Sequence, residues 1–196
     1  MNTLIHIRQK YCIPSGQSPI YIEDFRREHL GAISKELGFT LGAEIGVLQG
    51  RFSIQLCLAN PNLHLLCIDP YVQYEDYTDE TGNAMSDFYY HACLENLKNH
   101  NCEIIREFSL EAVKKIPNNS LDFVFIDGNH AFDHVVNDLT QWSKKVKIGG
   151  IISGHDYRVW PREANIHVKE AVDAFTLANY INPWYFADET FFWVKE

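Results

Sequence analysis

The sequence predicts a doubly wound α/β fold: a mostly parallel seven-stranded sheet with helices on both faces and an antiparallel C-terminal strand. Three observations predict it. Short apolar runs of strand length alternate with helical stripes through the middle of the chain, the pattern of βαβ units around a parallel sheet. The runs are apolar enough to be buried on both faces, as central parallel strands are. The two aromatic runs at the end lie only a few residues apart, too close for a crossover helix, so they pair antiparallel or leave the sheet.

Taken in order, residues 1–19 mix polar residues with two prolines and a glycine and read as an irregular lead-in. From Ile22, the positions Ile22, Phe25, Leu30, Ile33 and Leu37 form a helical stripe that ends at Gly38, a suitable C-terminal cap. Strands follow at LGAEIGV (from Leu41), HLLCID (from His64), CEIIRE (from Cys102), LDFVFID (from Leu121) and GIISG (from Gly150). Helical patterns fill 51–59, 86–99, 110–116 and 132–146; the last places Phe132, Val135, Val136, Leu139, Trp142 and Val146 on one face. Another helix carries Val168, Ala171, Val172 and Phe175, and PWYFA and FFWVK close the chain. With no repeat or linker, residues 1–196 read as one domain. The acidic, tyrosine-rich stretch 71–87 is long for a connection, and such loops are functional or unstructured. It reads as a lid, the alternative being a solvated insertion.

The apolar fraction of 46% beside 22% charged residues excludes a disordered or fibrous chain. A net charge of −9 without a basic patch opposes a phosphate backbone, so nucleic acid is not expected as a partner. Lys144, Lys145 and Lys147 instead sit at a helix end, where cations complement its dipole. The five cysteines form no CxxC pair and read as reduced thiols. No signal-peptide core or membrane-length apolar run is present, so a cytoplasmic protein without membrane partners is expected. The sequence leaves room for a homo-oligomer.

In doubly wound sheets ligands bind beyond the carboxyl ends of the strands. After the first strand, Gly46 and Gly50 bracket a turn into a helix, where backbone can approach a ligand closely. The spacing is not the G-x-G-x-x-G of a pyrophosphate site, and Glu44 just upstream favours a cationic ligand. Asp69 ends the second strand 23 residues beyond Gly46, close to the interval at which an acid reaches a ribose diol. Phe108 and Ser109 follow the third strand, where a ring could pack on adenine and a hydroxyl bond its edge; plain core is the alternative for Phe108. Asp127, His155 and Asp156, from neighbouring strands, could hold a divalent metal such as Mg²⁺ or Mn²⁺, with His130 beside them as a general base. The alternative is a structural network in which Asn129 caps the next helix.

Together, E-I-G-V-x-x-G-R-F-S, I-D-P-Y, F-S-L-E-A, L-D-F-V-F-I-D-G-N-H and G-G-I-I-S-G-H-D-Y resemble the motifs of class I S-adenosylmethionine-dependent methyltransferases. The likeness is closest to methyltransferase family 24 and runs from about Leu41 to Phe175. It implies a Rossmann-like sheet whose seventh strand inserts antiparallel. It also implies that Glu44, Gly46 and Gly50 line the methionine part of the cofactor, Asp69 holds the ribose, Phe108 and Ser109 border the adenine, and Asp127 stands near the methyl group. Related O-methyltransferases bind Mg²⁺ through a fourth-strand aspartate and an acidic pair after the fifth strand. Asp127 and Asp156 match that pattern, while His155 replaces the first acid of the pair and Asn129 stands where some relatives carry an aspartate base. His130 or His155 would then serve as base.

The activity so implied is O-methylation of a small-molecule or glycan hydroxyl, metal-assisted if the cluster holds an ion. Tyrosines of the 71–77 stretch and Trp160 would stack on the acceptor. Two competitors are a nicotinamide-dependent oxidoreductase, which would want the missing phosphate-binding glycines, and a non-catalytic nucleoside-binding domain, which would want a degraded cofactor edge.

Overall fold

The computed structural model describes residues 2–72, 86–161 and 164–196. Helices α1 (Thr3–Lys10), α2 (His29–Glu36), α3 (Arg51–Ala59), α4 (Ser86–Leu97), α5 (Ser109–Lys115), α6 (Phe132–Trp142) and α7 (Val168–Ala178) surround one sheet. Its strands are β1 (Ile20–Tyr21), β2 (Leu41–Ile45), β3 (His64–Ile68), β4 (Cys102–Ile105), β5 (Leu121–Ile126), β6 (Val146–Gly154), β7 (Tyr185–Ala187) and β8 (Thr190–Val194). They lie in the order β1-β7-β8-β6-β5-β2-β3-β4. The pairs β6/β8 and β7/β8 are antiparallel and all others parallel.

The period-two alternation of each central strand divides the core between two faces. Leu65, Cys67, Phe123, Phe125 and Phe192 face one side and pack with Ile33, Leu56 and Cys93 of α2, α3 and α4. Leu66, Ile68, Val124, Ile126, Phe191 and Trp193 face the other, with Val113, Val135, Leu139, Trp142 and Val172 of α5, α6 and α7. The strands are apolar throughout because both faces are covered.

The doubly wound architecture and antiparallel ending are as expected; four details differ. The sheet has eight strands, because Ile20 and Tyr21 add a short edge beside β7, a pairing made by backbone bonds that leave no side-chain pattern. Within the expected irregular lead-in of 1–19, Thr3–Lys10 is a helix, capped by the Asn2 side chain accepting the Ile5 N–H at 3.0 Å and anchored by buried Ile7. The helix expected from Ile22 starts at His29: Ile22 and Phe25 are buried, but in the stretch ahead of it. Val146 likewise opens β6 instead of closing α6. Most of the 71–87 lid expectation falls on 73–85, outside the described residues. Among the described residues no helix is long and apolar enough to cross a membrane.

Candidate active site

Register creates the site. Ile45 pairs with both Ile68 and Ile126, and Ile126 pairs with Gly154. The next residue of each strand (Gly46, Asp69, Asp127 and His155) therefore stands in one row across the carboxyl edge of the sheet.

The β2–α3 turn runs through left-handed backbone at Gly46 (φ +84°), Leu48 (+51°) and Gly50 (+75°). Asp69 stitches it. Its Oδ2 accepts the N–H groups of Val47 (3.0 Å) and Leu48 (2.9 Å), and its Oδ1 accepts that of Tyr71 (2.9 Å). A carboxylate has about four acceptor positions, so Asp69 keeps room for one further hydroxyl. Tyr71 is buried and donates its O–H to the Leu48 carbonyl at 2.8 Å; it braces the turn and is not presented to an acceptor.

Glu44 lies inside the sheet, 2% exposed, accepting the Ser53 hydroxyl at 2.6 Å. Burial pushes its carboxyl up to about 8 and Asp127 adds to the rise, while Ser53 and Arg27 oppose it.

At the ends of β5 and β6, His130 Nε2 lies 3.4 Å from Asp127 Oδ1 and 3.3 Å from Asp156 Oδ2. His155 Nδ1 is 3.6 Å from Asp156 Oδ2. Burial alone would raise the Asp156 carboxyl, but the hydrogen bond from His155 and the positive charge of His130, His155 and Arg158 hold it below the usual range. Burial would lower His155, and its bond to Asp156 with the nearby Asp127 charge raises it instead. Asp127, His130 and Asp156 offer ligand atoms all within 4.8 Å of one another, as do His155, Asp156 and Glu189. Of the expected trio of Asp127, His155 and Asp156, the two carboxylates are thus joined through His130, and His155 meets the same Asp156 oxygen. Asn129 accepts the Ala131 N–H at 2.9 Å, bracing the entry to α6, whose N-cap is Ala131. Trp160 donates to the Asp156 carbonyl at 3.4 Å, and Arg158 stacks on its ring at 3.6 Å.

Phe108, expected beside the adenine, is 44% exposed at the N-cap of α5. The Ser109 hydroxyl is already engaged: it donates to buried Asp138 and accepts the Trp142 indole N–H at 2.8 Å. The hydroxyl expected at an adenine edge is thus taken up inside the protein.

Two residues escaped the sequence reading. Asp138 carried a signal, since it sits between Val135 and Trp142 on the buried face of α6. Arg27 carried none; it reaches Asp127 (3.6 Å) from an irregular stretch far upstream.

Buried strand ends in register, a glycine turn held by the strand-end carboxylate of Asp69, and the antiparallel strand β8 inserted between β6 and β7 make a class I methyltransferase arrangement rather than a dinucleotide one. Residues 43–157 match the profile of the methyltransferase domain of family 24, more than half the chain, and the protein belongs to that family. It is an S-adenosylmethionine-dependent methyltransferase. Among curated proteins no sequence matches. Solved structures share the fold. A Staphylococcus aureus protein assigned as a caffeoyl-CoA O-methyltransferase superposes with a TM-score of 0.64 at 15% identity, over 98% of this chain and 90% of that one. TomG, an O-methyltransferase of tomaymycin synthesis from Streptomyces achromogenes solved with S-adenosylmethionine, gives 0.62 at 15%, over 87% and 79%. A Bacillus cereus O-methyltransferase in complex with S-adenosylhomocysteine gives 0.60 at 16%, over 98% and 89%.

Proposed function

We propose that the protein methylates a hydroxyl oxygen of a small molecule or glycan, with a divalent cation held by Asp127, His130 and Asp156. The observation that carries this is His130 Nε2 standing 3.3 and 3.4 Å from two carboxylate oxygens. That spacing is close to the roughly 3 Å between neighbouring ligands of an ion bound at about 2.1 Å, and two carboxylates with an imidazole suit Mn²⁺ or Mg²⁺. The O-methyltransferase names of the structural neighbours agree with an oxygen acceptor.

The cofactor, when bound, supplies an electrophilic methyl group, and the cation would lower the pKa of a hydroxyl on it. The chain's own residues do the rest. The β2–α3 turn and Asp69 fix the nucleoside, Phe108 offers a face to adenine, and Asp127 marks the row where the transferred group lies. His155, braced by Asp156, takes the hydroxyl proton as general base. Positioning supplies most of the acceleration, since displacement at a methyl carbon needs chiefly an in-line approach.

Asp156 tests the proposal cleanly. Its φ of +59° suits asparagine, so D156N keeps the backbone while removing charge. We expect transfer to hydroxyl acceptors, read as a methyl-sized mass gain, to fall at least about 100-fold in D156N. Chelation should abolish wild-type turnover and Mn²⁺ restore it, with no rescue of the variant. S-adenosylhomocysteine affinity should stay within about twofold. Wild-type turnover indifferent to chelation would remove the metal, and methylation of acceptors lacking a free hydroxyl would remove the oxygen chemistry.

A further inference from the structure

The site contains a guanidinium that methyl transfer itself does not require. The Arg27 side chain is 34% exposed and lies in the stretch ahead of α2. Its Cζ sits 5.2 Å from the centroid of the Phe52 ring, which packs on Phe125 in the sheet. Its charged contacts are long: 3.6 Å from Nη1 to Asp127 Oδ2 and 3.8 Å from Nε to Glu28 Oε1. Among the described residues this guanidinium donates no hydrogen bond. Its five N–H donors, partly exposed and lying over an aromatic ring, keep their hydrogen-bonding capacity for a ligand at this edge of the sheet. What completes a planar guanidinium fork is a carboxylate, bound through two parallel N–H···O bonds.

We propose that Arg27 receives the α-carboxylate of the bound cofactor, with the neighbouring Asp127 carboxylate facing the α-ammonium. The inference rests on the assignment of S-adenosylmethionine to this edge of the sheet. An amino-acid head group carries one positive and one negative charge on substituents of the same carbon. The protein presents the complementary pair 3.6 Å apart, at the end of β5 and beside the glycine turn. Glu44 feels both partners, Asp127 raising its carboxyl and Arg27 lowering it, so the guanidinium overlooks the same turn that the motif of β2 builds. Without Arg27, the carboxylates of Asp69 and Asp127 would leave the cofactor's carboxylate facing net negative charge. With it, the methionine end is fixed in orientation as well as place, which aims the sulfonium methyl toward the acceptor side of the row. Arg27 is on this account a binding residue for the methionine head group.

The test compares S-adenosylhomocysteine with its decarboxylated analogue, the adenosyl thioether of 3-aminopropane thiol, by calorimetric titration of the full chain. In R27Q, S-adenosylhomocysteine should bind about 10- to 100-fold more weakly, the range for losing a bidentate charge-assisted contact. The analogue, lacking the carboxylate, should bind R27Q as well as wild type or better. Equal weakening of both ligands, or no weakening of either, would overturn the assignment of Arg27 while leaving the cofactor reading intact. Failure of S-adenosylhomocysteine to bind the wild type would overturn both. Should R27Q not fold, R27K carries the comparison: charge is kept and the fork lost, so the same selective weakening is expected on a scale of about 3- to 10-fold.

Discussion

Replacing Gly46 with alanine should unfold the carboxyl edge of the sheet. A Cβ there would stand 2.0 Å from the Asp127 carbonyl oxygen, 2.5 Å from its carbon and 2.7 Å from Gly128 Cα. All three are backbone atoms, so no side chain can rotate aside. The φ of +84° adds the strain of a left-handed conformation. Overpacking and backbone strain together put the cost at about 3–5 kcal/mol. Relief would require β2 and β5 to part where Asp127 N–H donates to the Ile45 carbonyl at 2.7 Å, which disperses the row of site residues. Denaturant unfolding should therefore show a large loss of stability, and any folded fraction should bind no S-adenosylhomocysteine. Gly38 provides the contrast. Its φ is +71° but nothing lies within 4 Å of the added Cβ, so G38A should cost only about 1 kcal/mol. Equal losses at the two glycines would show that the close approach of β2 to β5 is not what Gly46 serves.

The second large effect belongs to Asp138. Burial pushes its carboxyl from 3.8 up to about 7, with the Ser109 hydroxyl bond partly opposing. The unfolded chain releases this proton near pH 4, while the folded chain holds it until near 7. Between those values the folded state binds more protons, so stability is fully present below about pH 4 and falls as pH rises to about 7. The gap corresponds to on the order of 4 kcal/mol. Asparagine mimics the protonated acid, keeping an acceptor for Ser109 and adding the N–H donors of an amide. D138N should match the wild type near pH 4 and exceed it by a few kcal/mol at pH 8, in urea unfolding at the two pH values. The difference between the two proteins isolates this group, since every other titrating residue is common to both. Parallel stability curves would mean that Asp138 ionises in the folded protein as it does in the unfolded chain.

Asp138 also shows how far the sequence could be read. Its place on the stripe of α6 was visible, because Val135, Leu139 and Trp142 set the buried face and spacing puts residue 138 on it. What could not be seen was its partner, because Ser109 comes from another helix and meets it only after both pack on the same side of the sheet. The strand-end residues were legible for the opposite reason. Gly46, Asp69, Asp127 and His155 each follow a buried apolar run, and parallel register aligns such ends without further information. Gly46 was readable as a close approach, though its neighbour, the Asp127 backbone, was not. Arg27 shows the limit most clearly: its stretch carries an apolar stripe at Ile22 and Phe25 that resembles helix, yet it runs irregularly over the sheet and delivers a cation to the end of β5. The two-residue strand β1 and the helix α1 were missed because both are short, and short elements are stabilised by what they pack on rather than by a periodicity of their own.

The account stands most directly on what binds the carboxyl edge of the sheet. Thermal unfolding should be followed with S-adenosylhomocysteine, S-adenosylmethionine and NAD, each near 100 times an expected dissociation constant. The two adenosyl ligands should each stabilise the protein by about 2.7 kcal/mol, seen as a rise of several degrees in Tm, and NAD should leave it unchanged. Stabilisation by NAD with none from either adenosyl compound would contradict the assignment of this site.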